Sequence, residues 1–177
     1  MRNLLYILMA LVALSTGAFI QHWLNAAPKD EPTAAIDPAT AFPDLQAKLH
    51  RLDEWKGKVM VVNFWATWCP PCLEEMPEFV KLQNDLGGQG VQFIGIAIDD
   101  AKAVGDFLAS RPVNYPILIG EDSGDDFAAR LGNRMGILPF SAVIDRSGKL
   151  IHVEPGTFER DEILKVVAPY LGTGAQL

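Results

Sequence analysis

The chain has little of what metal-binding and nucleic-acid-binding proteins need. Its 177 residues include only two cysteines and three histidines, and the histidines (His22, His50 and His152) show no ligand-like spacing to the cysteines. A structural zinc site would need a second pair of ligands, so neither a metal nor another cofactor is expected. Acidic residues outnumber basic ones, and the net charge of −7 argues against nucleic acid as a partner.

One long apolar run stands at the N-terminus. Residues 4–20 are almost continuously apolar and follow Arg2, and the run is about long enough to cross a bilayer as a helix. We therefore expect residues 1–25 to be a membrane anchor, with a cleaved signal sequence as the alternative. The positive N-terminus favours a cytoplasmic start, which places the rest of the chain outside the cytoplasm. Residues 26–41, rich in alanine and proline, are typical of a linker.

Strand and helix patterns alternate from residue 42 onward and predict one α/β domain over residues 42–172, followed by a tail at 173–177. The predicted strands are 58–65, 91–98, 116–119, 140–145 and 149–153, and the predicted helices are 73–86, 101–110, 123–131 (capped by Asp122 or Ser123) and 159–171. A short hairpin is predicted at 42–52. This order predicts a mixed central sheet, parallel apart from one antiparallel edge strand, with helices on both faces.

Both cysteines lie in the segment Trp68-Cys69-Pro70-Pro71-Cys72, between a predicted strand and a predicted helix. At a helix start, unpaired backbone N–H groups stabilise an anion, so Cys69 should have an increased thiolate fraction. A disulfide that closes so short a loop removes little chain entropy, which makes a structural role a poor explanation. The segment therefore predicts a redox pair in which Cys69 attacks and Cys72 resolves the mixed disulfide.

Two further features accompany the cysteines. Glu75 lies one helical turn after Cys72 and, if it points inward, could exchange a proton with that thiol; the alternative is a solvated helix glutamate. Pro139 directly precedes the predicted strand at 140–145. It is either an ordinary strand-initiating proline or a cis-proline that faces the cysteines, and the residues alone leave both open.

The segment 63–72 with Glu75, together with 93–99 and 138–149, resembles the thioredoxin fold. Within that fold it is similar to the membrane-anchored TlpA/ResA/CcmG-type thiol–disulfide oxidoreductases, and the insertion at 100–131 is also typical of them. One departure from thioredoxin is Asn63, because thioredoxin has a buried aspartate at the matching position.

The resemblance implies roles for particular residues. Cys69 is the attacking cysteine, Cys72 the resolving one and Glu75 a buried acid. Pro139 is cis, and the backbone of Leu138 pairs with the partner peptide. Trp68, Leu138 and Pro139 are accordingly the candidate substrate-binding residues.

The function expected is a thiol–disulfide oxidoreductase on the periplasmic side of the inner membrane, or soluble in the periplasm after signal cleavage. It would reduce disulfides of specific partner proteins, for instance in cytochrome c maturation or metal-site assembly, with electrons from a membrane donor of the DsbD/CcdA kind. A disulfide-introducing oxidase and a copper-delivery module using His152 are the alternatives. A thiol peroxidase is disfavoured, because such enzymes need a threonine where this chain has Ala66.

Overall fold

A computed structural model of the protein describes residue 37 and residues 39–171. In this part of the chain, no helix combines the length and the apolar character that crossing a bilayer requires. The predicted anchor at 1–25, most of the linker at 26–41 and the tail at 173–177 lie outside the described residues. These three predictions therefore stay untested.

The described residues form seven strands, four α-helices and three 3₁₀ turns. The strands are β1 Ala41–Pro43, β2 Leu49–Arg51, β3 Val59–Trp65, β4 Val91–Ala97, β5 Ile117–Ile119, β6 Phe140–Ile144 and β7 Leu150–Pro155. The α-helices are α1 Pro70–Leu86, α2 Ala101–Ser110, α3 Glu121–Arg130 and α4 Arg160–Val167. Short 3₁₀ turns occupy Leu52–Trp55, Gly87–Gln89 and Ala168–Tyr170.

The central sheet has five strands in the order β5-β4-β3-β6-β7. β3 and β4 are parallel, as are β4 and β5, whereas β6 runs antiparallel to both β3 and β7. The predicted mixed sheet is thus confirmed. The prediction that the antiparallel strand forms the edge is wrong, because the tight turn after β6 places β7 on its outer side.

The two faces of the sheet are covered by different elements. Alternate side chains of a strand point to opposite faces. Val59, Val61 and Trp65 of β3 pack with α1 and α4, while Met60, Val62 and Phe64 pack with α3 and the β1–β2 hairpin. Helices therefore lie on both faces, as predicted. The apolar side chains of β3 are fully or almost fully buried, which explains its nearly continuous apolar sequence.

Three helix ends differ from the sequence prediction by two residues or more. α1 begins at Pro70 rather than at residue 73. α3 begins at Glu121, and Gly120 is its N-cap residue without a side-chain cap, so the predicted cap by Asp122 or Ser123 is wrong. A Cβ atom at position 120 would lie 2.6 Å from Ile96 Cγ2, and a glycine there lets the chain turn close to β4. α4 ends at Val167 and continues as a 3₁₀ turn, because Pro169 has no N–H for the next helical hydrogen bond.

Candidate active site

The two cysteines form a disulfide at the N-terminus of α1, with a Sγ–Sγ distance of 2.03 Å. Cys69 is the N-cap residue, and Pro70 and Pro71 occupy the first two helical positions, where a missing N–H costs little. Cys69 Sγ accepts a hydrogen bond from the backbone N–H of Cys72 at 3.4 Å. The predicted position of Cys69 at the helix start is confirmed, and its sulfur faces an N–H that favours a negative charge.

The two cysteines and the residue before them differ strongly in their exposure to solvent. Cys72 has no solvent-exposed surface, whereas Cys69 is 4% exposed. Trp68, directly before Cys69, is 66% exposed, which is unusual for so large an apolar side chain. Of the two cysteines, only Cys69 therefore has surface open to solvent, next in sequence to the exposed Trp68.

The loop that carries Trp68 is held by a carboxylate at the end of the neighbouring strand. Asp99 Oδ2 accepts a hydrogen bond from the backbone N–H of Thr67 at 3.0 Å and another from the Thr67 hydroxyl. Asp100 caps α2 by accepting from the N–H of Ala103, whereas the contact between Asp99 and Thr67 was not predicted from the sequence. The signal that could have found this contact is that β3 and β4 are parallel and end at the same edge of the sheet.

Glu75 points into the core, where it is 8% exposed, while Glu74 is exposed to solvent. Its Oε1 accepts a hydrogen bond from Asn63 Nδ2 of β3 at 2.7 Å. Its Oε2 accepts one from the backbone N–H of Phe158, just before α4, at 3.0 Å. The carboxyl group lies one helical turn after Cys72 and is held from two sides.

Burial raises the pKa of Glu75 from its ordinary value of 4.5 to about 7. The hydrogen bonds from Phe158 and Asn63 favour the ionised form and offset part of this effect, and the charge of Glu159 adds to it. Near neutral pH, both forms of the carboxyl group are therefore populated. A group with that pKa can accept and release a proton under physiological conditions.

The loop before β6 ends at the same edge of the sheet as the cysteine segment. The peptide bond between Leu138 and Pro139 is cis, the second of the two conformations that the sequence left open. Phe140 is paired with Phe64, so Pro139 lies level with the end of β3, from which the chain leads to Cys69. Leu138 packs against the core cluster that contains both cysteines.

A family model described as redoxin matches residues 31–167. The chain belongs to the redoxin family. With its thioredoxin-like fold and its Cys69–Cys72 pair, this redoxin is a thiol–disulfide oxidoreductase.

Relatives and solved structures agree with this assignment. The redoxin is 33% identical over 138 residues to the thiol-disulfide oxidoreductase ResA of Geobacillus thermodenitrificans (strain NG80-2), which covers 75% of this chain and 77% of that protein. It is 31% identical over 127 residues to ResA of Bacillus subtilis (strain 168), with 71% and 69% covered. A crystal structure of a thiol:disulfide interchange protein, a thioredoxin family protein from Chlorobium tepidum TLS, aligns with a TM-score of 0.66 and 31% identity over 81% of this chain and 99% of that one.

Three hydrogen bonds around Glu75 and Asn63 were not predicted from the sequence. Asn63, a departure from thioredoxin in the sequence, donates hydrogen bonds to both Glu75 Oε1 and Ser141 Oγ, the latter at 3.1 Å. The alternating pattern of β3 could have placed Asn63 on the face toward α1. The contribution of Phe158 comes from its backbone N–H and leaves no signal in the sequence.

His152, the candidate copper ligand, contacts Glu154 and Phe158. Its Nε2 lies 3.2 Å from Glu154 Oε2, and its ring stacks on Phe158. Among the residues that the structure describes, no three His, Cys, Asp or Glu side chains are placed to hold a metal ion.

Proposed function

We propose that this redoxin reduces disulfide bonds of specific partner proteins outside the cytoplasm. The observation that carries the proposal is the cysteine pair at the N-terminus of α1 with the buried Glu75 one turn further along. The helix start stabilises a Cys69 thiolate, and the carboxyl group, with a pKa of about 7, can exchange a proton with Cys72.

The reaction begins with the reduced pair. The Cys69 thiolate attacks one sulfur of the partner's disulfide, forms a mixed disulfide and releases the first partner thiolate. Cys72 then transfers its proton to Glu75 and attacks Cys69 Sγ, which closes the Cys69–Cys72 disulfide and releases the second partner thiolate. Both thiolates take up protons, one of them supplied by way of Glu75. Two electrons and two protons pass to the partner, and the redoxin is left oxidised.

We further propose that Trp68, Leu138 and Pro139 bind the partner segment that carries the disulfide. The 66% exposure of Trp68 next to Cys69 supports this role. Leu138 and the cis-Pro139 lie at the same edge of the sheet, where the Leu138 backbone can pair with an extended peptide. An apolar segment around the partner's cysteine fits this surface.

The cellular setting is part of the same proposal. Residues 1–25, with their apolar run at 4–20, anchor the protein in the inner membrane, or are removed as a signal sequence, and the domain works on the periplasmic side. After each reaction, the Cys69–Cys72 disulfide is reduced again by a membrane electron donor of the DsbD/CcdA kind. Cysteines of apocytochrome c or of metal-site proteins are suitable substrates.

Trapping with Cys72→Ser tests whether the substrate is a protein. In this variant the mixed disulfide on Cys69 cannot be resolved, so disulfide-linked complexes should accumulate in cells and disappear on reduction. The Cys69→Ser/Cys72→Ser variant is the matched control and should form none. If Cys72→Ser gives no more complexes than the control, a protein substrate is contradicted.

The redox state of the pair in cells tests the direction of electron flow. Thioredoxin-fold proteins have potentials from about −270 to about −120 mV, and the more negative values favour reduction of partners. A pair that is mostly reduced in cells supports the reductase. A pair that is mostly oxidised would instead support the disulfide-introducing oxidase.

A further inference from the structure

A chain of hydrogen bonds links α1, β3 and β6 in the core, and Asn63 lies at its centre. Asn63 lies in β3 opposite Ser141 of β6, and the two residues are 2% and 0% exposed. Asn63 Nδ2 donates to Ser141 Oγ at 3.1 Å and to Glu75 Oε1 at 2.7 Å. Both hydrogens of the amide therefore have acceptors, and the Ser141 contact directs the amide nitrogen toward Glu75.

We propose that Asn63 is a positioning residue for Glu75, which holds the carboxyl group beneath Cys72 and keeps it from sharing its proton with a second carboxyl. The inference rests on the proposed role of Glu75 in thiol–disulfide exchange. It assigns to the amide at position 63 a task that an aspartate, the residue of thioredoxin, would not perform.

The positioning follows from the two contacts of the carboxyl group. Oε1 is held by the Asn63 amide from β3, and Oε2 by the Phe158 N–H from the segment before α4. A proton acceptor works efficiently only when its atoms lie at a fixed place relative to the donor. Without Asn63, one oxygen of Glu75 would lose its partner inside an apolar core, and the carboxyl group would be free to rotate.

The uncharged state of Asn63 matters as much as its N–H groups. The other ionisable groups that interact with Glu75 in the oxidised protein are Glu159 at the start of α4 and the buried phenol of Tyr115 before β5. The Cys72 thiol of α1 joins them once the disulfide is reduced. A carboxyl group at position 63 would lie within hydrogen-bond distance of Glu75. Two carboxyl groups so close together share one proton and titrate as a pair. Glu75 would then no longer lose its proton in a single step near neutral pH.

The test is a carbon NMR titration of the Glu75 carboxyl in the oxidised full chain, labelled at glutamate. The wild type should show one step near pH 7. Asn63→Leu removes a donor to the ionised form, which should move the midpoint upward by about one pH unit or more. Asn63→Asp should give a two-step curve. A single step with an unchanged midpoint in both variants would overturn the inference.

Gln92→Leu is the matched control. Gln92 is a buried amide in the neighbouring strand β4, 8% exposed, and bonds Gln83 and Phe93 rather than Glu75. Its removal should leave the Glu75 midpoint unchanged; a shift equal to that of Asn63→Leu would mean that any loss of a buried amide acts on Glu75. If Asn63→Leu does not fold, the titration of Asn63→Asp tests the inference, because aspartate has nearly the same shape as asparagine.

Activity is measured separately, so that the two proposals can fail independently. Reduction of a disulfide-bonded test protein by the wild type examines the proposed function alone. Slower reduction by Asn63→Leu, together with a shifted midpoint, supports the positioning role. An active wild type whose Asn63 variants keep the wild-type midpoint contradicts the inference and leaves the proposed function intact.

Discussion

At the scale of single residues, the two cysteines differ in surroundings although they are joined to each other. Cys69 caps α1 and keeps a small exposed surface, while Cys72 lies within the first helical turn and has none. The sulfur of Cys69 also faces the backbone N–H of Cys72. Because the thiolate is the reactive form, both the exposure and this contact favour reaction at Cys69.

We predict that Cys69 is alkylated faster than Cys72 in the reduced protein. The measurement is a time course with iodoacetamide at neutral pH, with each cysteine quantified by mass spectrometry of its peptides. The difference should vanish when the protein is unfolded in urea, because the helix start and the burial are then lost. Equal rates in the folded protein would contradict the argument from the helix terminus.

Glu75 should make the stability of the oxidised protein fall with rising pH. Its pKa is about 7 in the folded state and 4.5 ordinarily, so the folded protein holds this proton more tightly than the unfolded chain. The favourable contribution is complete below pH 4.5 and is lost as the pH rises through about 7. The full difference corresponds to about 3 kcal/mol.

Urea unfolding of the wild type and Glu75→Gln at several pH values tests this prediction. Glutamine cannot ionise, so the stability of the variant relative to the wild type should increase by about 3 kcal/mol between pH 4.5 and pH 8. Glu74→Gln, which changes the exposed neighbour, is the control and should show no comparable trend. Parallel pH curves for wild type and Glu75→Gln would contradict the raised pKa.

At the scale of elements, the β1–β2 hairpin shows how a very short unit is held in place. Its strands have three residues each, and its two-stranded sheet is separate from the central one. His50 lies between two carboxylates, with Nε2 3.0 Å from Asp44 Oδ2 and Nδ1 2.9 Å from Glu54 Oε2, and its ring stacks on Trp55. The histidine thereby joins the hairpin turn to the 3₁₀ turn that follows.

We expect this junction to weaken as the pH rises. The hydrogen bonds to Glu54 and Asp44 raise the pKa of His50 above its ordinary value of 6.5. Its contribution to stability is therefore complete below pH 6.5 and is lost as the pH rises through the higher folded-state value. His50→Gln should lower the Tm more at about pH 5.5 than at about pH 8.5.

The control for this experiment is His152→Gln. His152 contacts one carboxylate, Glu154, where His50 contacts two. The effect of His152→Gln on the Tm should therefore change less with pH than that of His50→Gln. A loss of Tm in His50→Gln that is the same at both pH values would show that the ring acts by packing on Trp55 rather than by charge.

At the scale of the whole domain, one arginine connects segments that are far apart in the chain. Arg146, in the turn between β6 and β7, donates hydrogen bonds to the carbonyl oxygens of Gly57, Gln89 and Tyr170 at 2.9, 3.1 and 3.1 Å. These carbonyls belong to the segments before β3, before β4 and after α4. The planar guanidinium group can reach all three, whereas a lysine could not.

Arg146→Ala should lower the free energy of unfolding by about 1 to 2 kcal/mol, since three carbonyls lose a charged donor at the surface. Arg146→Lys should recover little of the loss, because it restores the charge without the fork of donors. Urea unfolding measures both. Lys102→Ala, which removes an exposed ion pair within α2, is the control and should have no measurable effect. Full recovery by lysine would contradict the role of the three hydrogen bonds.

Much of the fold could be predicted because it follows from local patterns. The apolar run of β3, the helical spacing of α1 and the turn between β6 and β7 each depend on residues that are near in sequence. The same holds for the placement of the cysteines at a helix start and for the inward position of Glu75. The position of β6 inside the sheet was missed, because strand order depends on pairing between distant segments.

The sequence by itself determined the reacting groups of this redoxin: a cysteine pair at a strand-to-helix junction and a carboxyl group one turn beyond it. Only the tertiary structure decided how that carboxyl group is held. Asn63 contacts Glu75 across 12 residues and Phe158 contacts it across 83, and the latter uses a backbone N–H that any residue but proline would offer. Local spacing specifies which way a side chain points, whereas its partners depend on how distant elements pack together.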